Sequence, residues 1–130
     1  MKQLQVPLQI PGREVVIEWF GEWPSFHDAE IVALRLARSG SSLLQVYPYY
    51  PRKPATVNFI FDEVTDVELS DFSVQNVIIG LDIEQVTDQT KSDAIRVTLG
   101  PCFGLSGRID AKRLRLEVVP GKCPDSVSQW

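Results

Sequence analysis

His27 stands beside Asp28 and two residues before Glu30, and it is the only histidine in the 130-residue chain. An imidazole next to a carboxylate can act as an oriented base or supply half of a metal site. Either role needs further groups, and the sequence offers few. Cys102 and Cys123 lie far along the chain from His27. No H-E-x-x-H pair, paired C-x-x-C or glycine-rich phosphate loop occurs. In an extended segment Asp28 and Glu30 would share a face while His27 pointed the other way, so the three converge only if a turn re-aims the imidazole. The inventory favours a local role, with His27 packing and hydrogen-bonding to hold a turn against a sheet. It assigns no catalytic residue, no metal ligand and no cofactor.

The same stretch is crowded with rings. Two of the three tryptophans, Trp19 and Trp23, and two of the six phenylalanines, Phe20 and Phe26, lie between Trp19 and Glu30. So many large rings in one segment anchor a core or a site. Pro24 restricts Trp23 to extended geometry. Ser25 precedes Asp28 by the spacing of a helix-start capping arrangement, which predicts one tight helical turn from Pro24 to Asp28. Gly21 suits the left-handed end of a preceding helix. Trp19, Phe26 and Leu34 are expected to be buried together, with the Ser25 turn locked over them.

Trp19-Phe20-Gly21 followed by Trp23-Pro24-Ser25-Phe26-His27-Asp28-Ala29-Glu30 resembles the immunity protein 50 family of bacterial polymorphic toxin systems. The hydrophobic strand from Ile31 to Leu36 fits, as does Gly104-Leu105-Ser106-Gly107-Arg108-Ile109 leading into a charged strand. The resemblance covers most of the chain, and the Trp19–Glu30 motif is its distinctive part. It implies a small non-enzymatic protein that binds and neutralises a cognate toxin domain, and it carries over no catalytic residues.

A second concentration of chemistry is acidic: Asp62, Glu63, Asp66, Glu68 and Asp71. Paired carboxylates can do acid–base work or bind calcium, but the glycine-centred loop of an EF-hand is absent. Solvated strand faces explain most of the run. As a binding feature it would be a docking surface for a basic partner, and it is the first choice for one. The second choice is the edge at Tyr47, Tyr49 and Tyr50, since tyrosine is enriched at interfaces. Two alternatives stay open: a small-ligand- or metal-binding β module with a groove lined by Tyr47, Tyr49 and Trp23, and a metal-dependent enzyme using His27, Asp28 and Glu30.

Composition narrows the partners. Formal net charge is -4 and the pI is about 4.9, which disfavours nucleic acid and suits a cationic protein through electrostatic steering. The apolar fraction of 44% and charged fraction of 23% are those of a globular domain. Two cysteines make no disulfide framework or zinc pattern, so the reducing cytoplasm is the expected compartment. No segment reads as a signal peptide or a membrane span.

One domain is expected over residues 1–130, with a tail from about Lys122 to Trp130. A period-two strand runs from Leu4 to Ile10, at an edge because of Pro7. A short amphipathic helix follows from about Arg13 to Phe20, with Val15, Val16, Trp19 and Phe20 on one face. Next comes a strand to about Arg38 with Val32, Leu34 and Leu36 inward, a turn at Ser39–Ser42, and its hairpin partner Leu43–Tyr49. Pro48, Pro51 and Pro54 mark a loop. Val57, Phe59 and Phe61 face one way, with Thr56, Asn58 and Asp62 opposite; Val67 and Leu69 continue the pattern. Val77, Ile79, Leu81 and Ile83 share a face, with Gly80 at a bulge. Asp88–Asp93 is a polar turn, Ile95–Leu99 a strand, Gly100–Gly107 a loop, and Arg113–Val118 a closing strand. The class is mainly β: an antiparallel sandwich or strongly curved sheet with one short N-terminal helix, α+β being the near rival.

Overall fold

The computed structural model describes residues 10–87 and 93–122. The strand expected from Leu4, most of the Asp88–Asp93 turn, Cys123 and the rest of the tail lie outside the described residues. The elements are α1 (Arg13–Phe20), β1 (Ala29–Arg35), β2 (Ser41–Tyr47), β3 (Ala55–Ser70), β4 (Val77–Thr87), β5 (Asp93–Phe103) and β6 (Ser106–Pro120). The strands form one antiparallel sheet in the order β1-β2-β3-β6-β5-β4, curled until it closes as a barrel. The strongly curved sheet is therefore the form adopted. Among the described residues no helix is long and apolar enough to cross a membrane.

The spine is the β3–β6 ladder, which runs from Ala55 opposite Pro120 to Ser70 opposite Ser106. The seam is much shorter: β1 meets β4 only at Ala29 opposite Ile78 and Glu30 opposite Val77. Helix α1 ends as expected at Gly21, whose φ is 83° and whose N–H donates to the Ile17 carbonyl at 2.7 Å. Its Val16 and Phe20 are buried, whereas Val15, expected beside them, is exposed. The helix is set against β6 by the residues before it. Leu116 N–H donates to the Pro11 carbonyl at 2.9 Å, and a Cβ on Gly12 would lie 2.0 Å from the Leu116 carbonyl oxygen. Only glycine permits that approach at a φ of 91°.

Irregularities decide which residues face inward. A bulge between Ile31 and Ala33 shifts β1 by one residue, so the buried residues are Ala29 and Ile31. Leu34 turns in only beyond the bulge, opposite Leu44. The expected Val32–Leu34–Leu36 stripe is thus broken, and Leu36 is exposed. Bulges on either side of Ile78 do the same in β4: Ile78, Leu81 and Ile83 are buried while Ile79 faces out. In β3, Glu63 takes a φ of 60°. There the inward partners change from Phe61–Leu114 to Val64–Ala111. Thr56 and Asn58, expected on the open face, are buried, with Asn58 accepting from Gln45 at 3.1 Å. The expected Gly100–Gly107 loop is mostly strand; only Gly104 and Leu105 separate β5 from β6.

One amide holds the seam. Asn76 is buried at 3% exposure. Its Oδ1 accepts from Ser73 N–H at 2.9 Å and Leu105 N–H at 2.8 Å, and its Nδ2 donates to the Ser73 carbonyl at 2.8 Å. Its own carbonyl accepts from Ile31 N–H at 2.8 Å. The β3–β4 loop, the β5–β6 turn and β1 therefore meet on one residue. Each buried donor left unpaired costs about 1–3 kcal/mol, so Asn76→Ala is expected to lower the unfolding free energy by at least about 2 kcal/mol. Chemical denaturation measures it, and an unchanged midpoint would show that the seam holds without this side chain.

The ring-rich motif is also structural, but not as a helical turn. Phe26 and Asp28 have φ of 60° and 68°, which no right-handed helix contains. The Ser25 hydroxyl accepts from His27 N–H at 3.2 Å, a local turn rather than a helix cap. Ala29 N–H closes the loop on the Phe26 carbonyl at 3.1 Å. Phe26 is buried at 1% exposure, its ring 5.7 Å from that of Trp23 and 5.9 Å from that of Phe59. Trp19 and Leu34, expected to be buried with it, sit half-buried at the edge of the core. Phe26→Ala should cost about 3–5 kcal/mol, while His27→Ala should stay within about 0.5 kcal/mol. A Phe26→Ala protein with the parent's denaturant midpoint would remove this ring from the core.

Candidate functional site

The sequence candidates separate into two regions. His27 and Asp28 are both exposed, with Nδ1 3.3 Å from the carboxylate. The imidazole does not pack against the sheet, contrary to expectation, because the left-handed residues on either side turn it outward. Among the described residues no group of three His, Cys, Asp or Glu side chains is arranged to hold a metal ion. Around the motif the polar groups tie α1 to the proline-rich loop. Trp19 Nε1 donates to the Lys53 carbonyl at 3.2 Å, and the Lys53 ammonium sits 3.8 Å from the Trp19 ring centroid. The Tyr50 hydroxyl donates to Glu22 at 2.9 Å, and its ring lies 4.8 Å from that of Phe20. Burial and then the Glu22 carboxylate push the Tyr50 phenol above its ordinary value. Of the three tyrosines, Tyr50 is thus committed to packing, Tyr47 is half-buried, and Tyr49 is exposed.

The acidic run lies along β3 and is matched by arginines on β6. Asp62 accepts from Ser41 at 2.6 Å and lies 3.4 Å from Arg115. Glu63 pairs with Arg113 at 3.1 Å. Asp66 and Glu68 both reach Arg108, at 2.9 and 3.3 Å. Asp71, at the strand's end, has a 3.4 Å hydrogen bond from Ser70.

The centre of this lattice is Asp110, a residue that period-two reasoning passes over. It is buried at 6% exposure, accepts two bonds from Arg96 at 2.9 and 3.0 Å, and a third from Arg108 at 2.9 Å. Asp110 raises the Arg96 guanidinium above its ordinary value; for Arg108 the first cause is Asp66. The signal available in the sequence was the alternation of charges along Arg96, Arg108 and Asp110, but the cross-strand register was needed to bring them together.

That register places two rows of side chains on the outside of the barrel. One is Glu84, Arg96, Asp110 and Asp66; the next is Asp82, Thr98, Arg108 and Glu68. The rows hold five carboxylates and two guanidiniums. Beside the second row is an open cavity of about 450 Å³, walled by Glu68, Ser70, Thr98 and Arg108. Gly107 lies in it between Leu69 and Leu99, its register partners. A Cβ on Gly107 would fall 1.9 Å from the Glu68 carbonyl oxygen, so glycine lets β6 approach β3 there.

The same end of the barrel carries exposed rings. Phe72 is 63% and Phe103 56% exposed. Val74 and Ile79 are exposed too, as is Cys102. Phe72 adjoins Ser73, and Phe103 is two residues from Leu105. Both of those backbone N–H groups bond the one Asn76 oxygen, so the two ring-bearing segments are held side by side. An apolar patch set into an acidic face can bind a protein surface.

Compared with known protein families, curated proteins and solved structures, the chain shows no match.

The Asp62 carboxyl is held below its ordinary value first by the Ser41 hydroxyl, and by Arg115, with burial opposing them. A depressed folded value contributes stability above the unfolded carboxylate value of about 3.9, lost as pH falls through the folded value. Ser41→Ala should move the Asp62 titration to higher pH. The variant should then lose less stability than the parent on acidification from about pH 5 to about pH 2. Carboxyl resonance titration measures the shift, and an unmoved Asp62 midpoint would deny the hydroxyl this role.

Proposed function

We propose that this chain is a non-enzymatic immunity protein that binds and neutralises a cognate bacterial toxin domain in the cytoplasm. The observation that carries the reading is the pair of exposed rings, Phe72 and Phe103, fixed at the end of a barrel face in which carboxylates outnumber guanidiniums. The Trp19–Glu30 motif supports it through its likeness to the immunity protein 50 family. Inhibition of this kind works by occlusion through a standard-sized interface and needs no chemistry. Acidic rows speed the approach of a basic partner, and the apolar end slows its escape.

The small-ligand alternative has one observation in its favour, the cavity of about 450 Å³, which is within the range of small-molecule sites. Its wide mouth suits a protein side chain better. The enzyme alternative rests on the 3.3 Å His27–Asp28 contact alone. Stoichiometric transition metal in protein purified without a histidine tag would favour it.

The test is co-expression with the toxin domain encoded beside this chain. Cells carrying both are expected to survive and cells carrying the toxin domain alone to die. Equal killing in the two cases defeats the immunity reading.

A further inference from the structure

We infer that the cavity at Gly107 is the anchoring point of the interface, and that it takes an arginine or lysine from an extended segment of the protein partner, with flanking apolar side chains seated on Phe72 and Phe103. This rests on the immunity reading for the partner's identity, but not for its chemistry.

The cavity lies on the outer face and is open to solvent, so an occupant comes from outside the barrel. Its walls offer acceptors to a cation: the Glu68 carboxylate, which is 77% exposed, and the Ser70 and Thr98 hydroxyls. Asp71 stands at the end of β3 beside Ser70, and among the described residues its carboxylate accepts one hydrogen bond, from that hydroxyl at 3.4 Å. Arg108 in the wall is already shared among Asp66, Glu68 and Asp110, so its charge is spent within the lattice. The surrounding rows keep an excess of carboxylates over guanidiniums, which repels an acidic segment and attracts a basic one.

The rings select an extended peptide rather than a free cation. Phe72 stands in the β3–β4 loop and Phe103 at the end of β5, and Asn76 bonds the backbone just beyond each, so they form a fixed apolar rim, with exposed Ile79 beside β5. A small amine would leave that rim uncovered. A chain that puts a guanidinium in the cavity can lay its neighbouring apolar residues across it, and arginine stacks on aromatic faces as well. Buried aromatic contacts around a desolvated charge are the composition of an interface hot spot.

The experiment has two arms. In the first, the isotope-labelled full chain is titrated with the peptide acetyl-Gly-Phe-Arg-Leu-Gly-amide, and with versions carrying Gln or Glu in place of Arg. Amide shifts are expected at Ser70, Phe72, Thr98, Phe103 and Gly107. Affinity should fall about tenfold or more for the Gln peptide, and further for the Glu peptide. Thr98→Trp, which fills the cavity, and Phe103→Ser, which removes half the rim, should each weaken the arginine peptide about tenfold. Equal binding of the three peptides, or shifts confined to another face, overturns the proposal. In the second arm the folded variants are co-expressed with the neighbouring toxin domain. Loss of protection by Thr98→Trp or Phe103→Ser supports the anchor. Full protection by both variants overturns this surface while leaving the immunity reading intact, and failure of the parent chain itself to protect overturns that reading instead. Glu68→Gln, exposed and outside the core, serves both arms if either bulkier variant fails to fold.

Discussion

Two residue pairs close this barrel, and the Asn76 amide holds them in register. A six-strand sheet that curls must join its last edge to its first or leave both open to foreign strands. Here the join between β1 and β4 is short, too short to define its own register by ladder hydrogen bonds alone. Asn76 supplies the missing definition. Its side chain fixes the β3–β4 loop to the β5–β6 turn while its backbone carbonyl receives the Ile31 N–H. Gly104 is part of the same device, since a Cβ there would sit 2.5 Å from the Asn76 oxygen. Everything placed at this end of the barrel, including Phe72 and Phe103, inherits its position from that amide.

The sequence disclosed elements well and faces poorly. The amphipathic spacing of Val16 and Phe20, ended by Gly21, located the helix to the residue, because both signals are local. The alternation in Val57, Phe59 and Phe61 likewise predicted a buried row. Alternation fails wherever one extra residue enters a strand, because the side-chain period is two and every later residue changes face. Ile79 was misplaced for that reason, and Leu36 because β1 ends at Arg35. The bulge that expels Ile79 is set by the partner strand, which a single segment's pattern does not contain. Asp110 escaped for a related reason: it follows the buried Ile109 and precedes the buried Ala111, and only the neighbouring strands reveal Arg96 and Arg108 above it.

The most conspicuous motif and the candidate interface lie in different regions. Rings were spent on Trp19–Phe26 because a loop with two left-handed non-glycine residues stores strain of about 1–3 kcal/mol at each. Phe26, inserted between Trp23 and Phe59, offsets that cost by burying a large ring. Trp19 and Phe20 then hold the Tyr50–Lys53 loop, so this region is a packed joint. Rings that do not pack inward are the informative ones, and Phe72 and Phe103 looked unremarkable in sequence because each stands alone among turn residues. Exposure, which the sequence does not record, distinguishes them.

The acidic run divides by the same logic. Asp62 and Glu63 pair diagonally with Arg115 and Arg113 on β6, where cross-strand pairing neutralises them and contributes little stability at such exposure. A basic partner approaching there meets a surface already balanced. Further along β3 the balance shifts, because Arg108 must serve Asp66, Glu68 and Asp110 together. Asp66 and Asp110 stand directly opposite one another, an arrangement that would repel without the guanidinium between them. The arginines therefore stabilise the sheet first, and the carboxylates they leave unmatched give this face its field. A long-range field of that sign draws cations along the whole face, while tight contact is possible only where an opening and an apolar rim coincide with it. Those three conditions meet beside Gly107, at the open cavity between Glu68, Ser70, Thr98 and Arg108.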